Sequence, residues 1–357
     1  MNTRYDRHMK LKGWSAQAQE QLRTAHAVVV GAGGLGSAVL PYLASAGVGK
    51  ITIVDYDRVS LSNLQRQVLY AEEDVSQLKV EVAVEKLSAL NSEIELVGIS
   101  KPFEPHTAEN IVGGCDLVID CTDNFRTRYL INDACVRTDV PFIFGALYTY
   151  SGQMAVCNYK GSATYRCLFK EPPTDAAIPN CAEIGVFSPL VALIGSLMVA
   201  EALKVLAGLE SVLTGRLITY DLLTHQQQAL AFKADVKAIA QIKNLNRIEP
   251  IALDDCDWND QTLYLSDLDT LKDPLFIDVR ELKEVPLVEH ALVVKRSSDQ
   301  LLQSDEQLLK GKRPLVLFCA TGKRARRSAL KIERENVYYL KEEIEDFIHY
   351  LNQMKHD

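Results

Sequence analysis

Residues 31–36 read Gly31-Ala32-Gly33-Gly34-Leu35-Gly36, a G-x-G-x-x-G run between an apolar stretch at 27–30 and an apolar helical stretch at 35–48. Glycines at this spacing let backbone amides approach a phosphate, and the start of the following helix favours its negative charge. Asp55 ends the next apolar run, 50–54, about twenty residues further on, where a carboxylate grips ribose hydroxyls. The pattern points to a nucleotide without saying which. A tight turn with no ligand fits it too, and a dehydrogenase would satisfy it equally well.

The residues downstream discriminate between nucleotides. After Asp57-Arg58-Val59-Ser60-Leu61-Ser62-Asn63-Leu64-Gln65-Arg66-Gln67 comes Lys79 at the start of a helical stretch. Arg66 and Lys79 could both reach back to the glycine loop, and two added cations suit a triphosphate better than the two phosphates of NAD. A third apolar run, 116–121, leads into Asp120-Cys121-Thr122-Asp123-Asn124. There Asp123 could hold magnesium, an ion that takes carboxylate and phosphate oxygens together. Any one of these residues reads more simply as a solvated surface charge; the combination does not.

Positioning such a set takes alternating strands and helices. A helical lead-in at 15–24 precedes strand 27–30. The helical stretch 35–48 contains Pro41, which predicts a kink or a later helix start. Strand 50–54, a helix over 76–91, strand 116–121, a helix opening at Asp123 or Asn124 and strand 140–145 follow. This order predicts an α/β fold with a doubly wound, mostly parallel sheet. Beyond it, 148–159 reads as a hairpin, 161–180 as a loop, Ser188-Pro189 as the start of a capped helix, and 216–220 and 226–232 as strands of an antiparallel extension. Residues 1–235 are thus expected to form one domain, 236–260 a linker and 261–357 a small α/β module.

Composition bounds the function class. Of 357 residues 47% are hydrophobic and 24% charged, the balance of an ordinary globular protein. A net charge of -8 argues against a general nucleic-acid binder, which needs a clustered basic face. The longest apolar stretch, 189–200, is broken by Gly195 and Ser196 and reads as too short to cross a bilayer. The first residues lack the apolar core of a signal peptide. Eight cysteines (115, 121, 135, 157, 167, 181, 256 and 319) are scattered without paired spacing, which predicts reduced thiols in a cytoplasmic protein.

From Arg4 to Phe232 the chain resembles the ubiquitin-activating-type adenylyltransferases, and most closely the MoeB and ThiF group that activates sulfur carriers. Gly31–Gly36, Asp55, Ser62-Asn63-Leu64-Gln65-Arg66-Gln67, Lys79 and Asp120-Cys121-Thr122-Asp123-Asn124 carry the likeness. It implies a Rossmann-like fold in which Gly34, Asp55, Ser62, Asn63, Arg66, Lys79 and Asp123 bind ATP. Gly31, Gly33, Gly36, Leu64, Gln65 and Asn124 complete the pocket, and Asp123 is the magnesium ligand. Arg7 would reach the partner subunit's site across a homodimer. The implied reaction joins the C-terminal glycine carboxylate of a ubiquitin-like sulfur carrier to the α-phosphate of ATP and expels pyrophosphate. Negative charge gathers on the phosphates, so Arg66, Lys79 and a magnesium ion would stabilise the transition state; losing Arg66 should cost on the order of 3–4 kcal/mol in barrier. No general base is required, because a carboxylate is already a nucleophile.

Cys181 matches the position where this family often carries a cysteine that bonds the activated carrier or a sulfur donor; an unreactive loop thiol is the alternative. Many relatives hold structural zinc through two C-x-x-C pairs. Here the first reads Thr164-Tyr165-Arg166-Cys167 and the second is missing, since only Cys256 lies between Cys181 and Cys319. No structural zinc is therefore expected, and the loop it would pin is expected to be looser.

Residues 275–281, Leu-Phe-Ile-Asp-Val-Arg-Glu, and the loop Cys319-Ala320-Thr321-Gly322-Lys323-Arg324-Ala325 resemble a rhodanese, or sulfurtransferase, domain. Such a loop would wrap its amides round a persulfide on Cys319. Lys312, Arg313, Lys323, Arg324, Arg326 and Arg327 surround that cysteine in sequence and would favour its thiolate. The segment between Glu284 and Val294 departs from the usual pattern, and Ala325 replaces a common serine. A docking module without chemistry and, more distantly, a phosphatase are the competing readings. The combined reading is adenylation followed by thiocarboxylate formation, for molybdopterin or else thiamine synthesis. A cysteine desulfurase would be the type of sulfur donor. The ending Met354-Lys355-His356-Asp357 lacks Gly-Gly, so the carrier is expected to be another chain. The rivals are an NAD-dependent oxidoreductase, against which Arg66 and Lys79 argue, and a carrier-binding scaffold without turnover.

Overall fold

The computed structural model describes residues 3–172, 185–248, 262–281, 283–304, 311–320, 322–332, 334–340 and 344–354. The chain divides into two compact units, Met1–Val59 with Asn63–Asp255 making the first and Cys256–Asp357 most of the second.

The first unit opens with α1 (Asp6–Met9) and α2 (Ala16–Thr24), the latter started by Ser15, whose Oγ accepts the Ala18 N–H at 3.1 Å. β1 (His26–Val30), α3 (Gly34–Ala46) and β2 (Lys50–Val54) follow. Pro41 lies inside α3 and neither delays its start nor ends it; Gly47, at φ 85°, ends it in the left-handed conformation. Next are α4 (Lys79–Leu90), β3 (Glu95–Ile99), α5 (Pro105–Val112), β4 (Leu117–Asp120), α6 (Phe125–Thr138), β5 (Phe142–Tyr148) and β6 (Ser151–Cys157). The unit closes with α7 (Tyr165–Leu168), α8 (Ser188–Leu206), β7 (Arg216–Asp221), β8 (Gln226–Ala231) and α9 (Val236–Lys243).

Its sheet has eight strands in the order β3-β2-β1-β4-β5-β6-β7-β8. The pairs from β3 to β5 are parallel and those from β5 to β8 antiparallel. β1, β2 and β4 are buried on both faces, which is why they read as unbroken apolar runs. Val29, Ile51, Ile53 and Ile119 pack with α3, α4 and α8 on one face; Val28, Val30, Val54 and Val118 pack with α5 and α6 on the other.

Several local expectations change. The hairpin is built by β5 and β6, so its first strand runs on from the predicted 140–145 strand to Tyr148. β3 and α5 were not anticipated: β3 is an edge strand with half-exposed residues and lacks a strong apolar signal. α7 lies inside the predicted 161–180 loop. α8 starts at Ser188 with no side-chain cap, because Pro189 already suits a first helical turn. At 19 residues it is also longer than the apolar stretch suggested, long and apolar enough to span a bilayer by composition. Its apolarity is used in packing, since Leu190, Ile194, Met198 and Ala202 are fully buried in the core under the sheet. The stretch read as linker opens on α9, which Asp235 just before it caps by accepting the Ala238 N–H.

The second unit contains β9 (Thr262–Leu263), β10 (Leu275–Asp278), β11 (Val293–Lys295), α10 (Ser298–Ser304), β12 (Leu315–Phe318), α11 (Lys323–Ala329), β13 (Val337–Leu340) and α12 (Ile344–Met354). All five strands are parallel, in the order β11-β10-β12-β13-β9, with apolar clusters on both faces.

Candidate active site

In the first unit the strand order turns at β1, with β2 and β3 to one side and β4 and β5 to the other. Ligands of open α/β sheets bind outside the carboxyl ends of the strands at that point. The glycine loop leaves β1 there, and Asp120–Asn124 leave β4 beside it. The two loops touch: a Cβ on Gly31, which is at φ 96°, would sit 2.8 Å from the Cys121 carbonyl oxygen. A Cβ on Gly36 would sit 2.2 Å from the Gly31 oxygen, so both glycines are required by close backbone approach. Gly33 is the N-cap and Gly34 the first residue of α3, leaving the helix start without a side-chain cap.

Asp55 is already tied to the glycine loop. Its Oδ2 accepts the Ala32 N–H at 2.6 Å and its Oδ1 the Asp57 N–H at 2.7 Å. Burial holds its carboxyl above the usual range, Lys79 pulls it down and Asp57 pushes it up. Lys79 heads α4, is only 4% exposed, and places its ammonium 3.2 Å from Asp57 Oδ2. The segment between is held by Asn63, whose carbonyl accepts the N–H groups of Arg66 and Gln67, each at 3.0 Å. Arg66 is half-buried, Gln65 is exposed, and Ser62 lies on the helical turn Leu61–Asn63. Leu64 packs on the small cluster of Val59, Tyr70 and Val82, so its side chain belongs to the core.

Beyond β4, Asp123 is exposed at a bend and its carboxylate bonds no described residue. One carboxylate at this edge fits a magnesium ion whose remaining ligands are phosphate oxygens and water; among the described residues no group of three acidic, histidine or cysteine side chains could hold a metal by itself. Asn124 follows at the start of α6. Its Oδ1 accepts the Thr127 N–H at 2.8 Å and caps α6.

Three residues at this edge escaped the sequence reading. Tyr70 donates to the Ala32 carbonyl at 2.7 Å, clasping the glycine loop. Gln67 is 4% exposed, with its Oε1 unpartnered and its Nε2 close to Gly33, an orphaned polar atom suited to a ligand in the loop. Arg128, 5% exposed, bonds Asp120 Oδ2 at 3.3 Å, the Thr122 carbonyl at 2.7 Å and the Gly145 carbonyl at 3.1 Å. It thereby fixes the peptide that carries Asp123. Phe125, Phe144 and Tyr165 surround its guanidinium at 5.8–5.9 Å. Gln67 stood inside the quoted motif; nothing in the spacing marked Tyr70 or Arg128 as buried.

Arg7 is not brought to this edge in its own chain. It lines a cavity of about 500 Å³ with Arg4, Tyr5, His8 and residues of α3 and α8, none of them a candidate nucleotide ligand. Cys181 and Cys256 lie outside the described residues. Cys167 accepts N–H groups from Thr164 at 3.3 Å and Asp235 at 3.2 Å. Arg166 pairs with the buried Asp133 through two contacts of 2.7 Å. The described part of the loop expected to be loose is therefore tied down by an ion pair and a thiol.

In the second unit, Cys319 follows β12 at the carboxyl edge. It is 3% exposed, and its Sγ accepts the Ala325 N–H at 3.5 Å. Gly322, at φ 73°, starts α11. Two of the cations expected around Cys319 are engaged elsewhere. Arg313 precedes β12, at the strand's opposite end, and binds Asp273 at 2.8 Å. Arg324 does interact with Cys319, but Glu284 neutralises it at 2.6 Å. Beside the loop, Arg280 is 1% exposed and grips Asp278 with bonds of 2.9 and 2.8 Å.

Residues 5–238 match the family model described as the ThiF family. The chain belongs to the ThiF family. Among ThiF-family relatives, a sulfur carrier protein adenylyltransferase of Thermus thermophilus is 48% identical over 225 residues, 62% of this chain and 83% of that protein. A Mycobacterium tuberculosis protein named a probable adenylyltransferase/sulfurtransferase, MoeZ, is 32% identical over 352 residues, 93% of this chain and 88% of its own, so the similarity continues through the second unit. The solved structure of E. coli MccB with ATP superposes with a TM-score of 0.57 at 23% identity over 66% of this chain and 74% of that one, which shows a shared fold. Both relatives compared by sequence carry adenylyltransferase in their names, and the doubly wound sheet is a fold this chain shares with MccB.

Proposed function

We propose that this ThiF-family chain adenylates the C-terminal glycine of a ubiquitin-like sulfur carrier and that its second unit then delivers sulfur to form a carrier thiocarboxylate. The observation that carries the reading is the convergence, at one carboxyl edge, of a glycine loop, a buried lysine heading a helix and an exposed carboxylate, in a chain aligned over 93% of its length with a relative named for both activities.

The carrier carboxylate oxygen attacks the α-phosphorus of ATP, and the bond from that phosphorus to the bridging oxygen of pyrophosphate breaks. Gly33 and Gly34 offer amides at the start of α3, Asp55 receives the ribose, and Arg66 and Lys79 hold the phosphates whose charge grows as pyrophosphate departs. A magnesium ion, when bound, adds charge neutralisation on the phosphate oxygens, and Asp123 is the residue that would hold it. A persulfide on Cys319 then attacks the acyl-adenylate carbonyl. AMP leaves, and reduction of the resulting acyl disulfide by a second thiol releases the thiocarboxylate.

The finer assignments belong to the same proposal. The carrier ends in Gly-Gly and serves molybdopterin synthesis, with thiamine synthesis second; a cysteine desulfurase supplies the sulfur. The enzyme is a homodimer in which Arg7, exposed on α1, crosses to the partner. Six described cysteines are free thiols, which supports a cytoplasmic setting. The deciding experiment is carrier-dependent ATP–pyrophosphate exchange with each candidate carrier, wild type against Asp123→Ala. Exchange that needs one carrier and disappears in the variant is expected. No exchange with any carrier overturns the reading in favour of a scaffold.

A further inference from the structure

The ammonium of Lys79 already has an anion beside it, and that anion is not one of the residues assigned to the nucleotide. Asp57 Oδ2 lies 3.2 Å from Lys79 Nζ. The lysine side chain is 5% exposed and the aspartate side chain 35%, so the buried partner is the cation and the accessible partner is the carboxylate. A buried ammonium must be paired, and removing its partner is strongly unfavourable unless another anion takes the place.

The backbone of Asp57 is held independently of its carboxylate. Its N–H donates to Asp55 Oδ1 at 2.7 Å, and its carbonyl accepts the Lys79 N–H at 2.9 Å. The side chain can therefore release Lys79 while the backbone stays in register. Asp55, tied to the glycine loop through Ala32, lies within reach of the charges of both Asp57 and Lys79. A triphosphate entering that loop brings its own negative charge beside Asp57 and competes with it for the same cation.

We propose that Asp57 is the resident counter-ion of Lys79, displaced by the phosphates when a nucleoside triphosphate binds and reclaiming the lysine as pyrophosphate leaves. Asp57 then sets the pyrophosphate affinity of the site by acting through Lys79, and is a positioning residue. The inference rests on the adenylation reading for its reaction, but its central claim concerns binding alone.

The test is calorimetric titration of ATP and of pyrophosphate, each with magnesium, into the full chain as wild type, Asp57→Asn and Asp57→Glu. Asparagine keeps the size and the backbone bonds but not the charge. It is expected to tighten both ligands by about tenfold, between the few-fold effect of one like charge in bulk water and the larger effect near a protein surface. The melting temperature without ligand should fall and the gain on adding ATP should grow. In exchange assays KM for pyrophosphate should fall together with kcat, as release becomes slower. Glutamate keeps the competing charge, and its affinity should be no tighter than wild type. A residue that merely props Lys79 would give the opposite sign: weaker ATP and pyrophosphate binding in Asp57→Asn, which would overturn the proposal, as would unchanged affinities. If the wild type binds both ligands but shows no exchange with any carrier, the adenylation reading fails and the counter-ion role still stands or falls on the titrations.

Discussion

Replacing Arg128 by methionine keeps most of the side-chain volume and removes the fork that holds Asp120, Thr122 and Gly145 together. Asp120 is fully buried, so its carboxylate would be left without its cation. Breaking a buried pair in this way costs about 3–5 kcal/mol. For a unit of this size that lowers the melting temperature by roughly 6–20 °C, at about 2–4 °C per kcal/mol. The dependence on pH is the sharper signature. Burial already holds the Asp120 carboxyl above its ordinary range, with Arg128 opposing. Once Arg128 is gone the folded state holds that proton more tightly still. Between the unfolded value of about 3.9 and the raised folded value, the folded protein binds more protons than the unfolded one, so stability falls as pH rises across that window. The variant's deficit should be small near the acid end and should grow as pH rises towards neutral.

Calorimetric melts of the wild type, Arg128→Met and Arg128→Met with Asp120→Asn across that pH range check this. The added asparagine discharges the orphaned site, so the double variant should recover most of the loss at neutral pH and lose its pH dependence. A deficit equal at both ends of the range, or a double variant no better than the single one, would refute the buried-charge account of this network.

Asn124→Ala removes a helix cap worth about 1 kcal/mol and should lower the melting temperature by a few degrees while leaving the ATP dissociation constant unchanged; a large loss of ATP affinity would return Asn124 to the nucleotide site. Gly36→Ala places a methyl group 2.2 Å from the Gly31 carbonyl oxygen and must displace the loop. Overpacking of this kind costs about 1–3 kcal/mol, and the stabilisation by ATP seen in the wild type should vanish in a thermal-shift titration. Cys319→Ala should leave carrier-dependent pyrophosphate exchange at the wild-type rate and abolish carrier thiocarboxylate, read by intact mass. Exchange lost together with thiocarboxylate would contradict a division of labour between the two units.

What the sequence made legible and what it hid follow from the range of the forces involved. Gly31, Gly36, Asp55 and Lys79 stood out because the turn, the strand end and the helix start that position them are local, and each leaves a local mark. Arg128 carries no such mark: an arginine four residues past a capping asparagine looks like an exposed helical residue. Its burial is decided by Asp120 and Gly145, which lie on two other strands, β4 and β5. Asp57 was visible as a charge, but its tie to Lys79 spans the turn between β2 and α4. Two of the cations expected around Cys319 mislead for the opposite reason. Arg313 and Cys319 are close in sequence, yet β12 runs between them and carries them to opposite ends of the sheet. Meanwhile Glu284, distant in sequence, arrives to neutralise Arg324. At the carboxyl edge the described hydrogen bond to the Cys319 sulfur comes from an amide of its own loop, that of Ala325, while Arg324 is paired with Glu284. That amide persists when salt screens the exposed part of the Arg324–Glu284 pair, so sulfur transfer by Cys319 should depend weakly on ionic strength, read as rate against added salt; a steep loss of rate with salt would refute it.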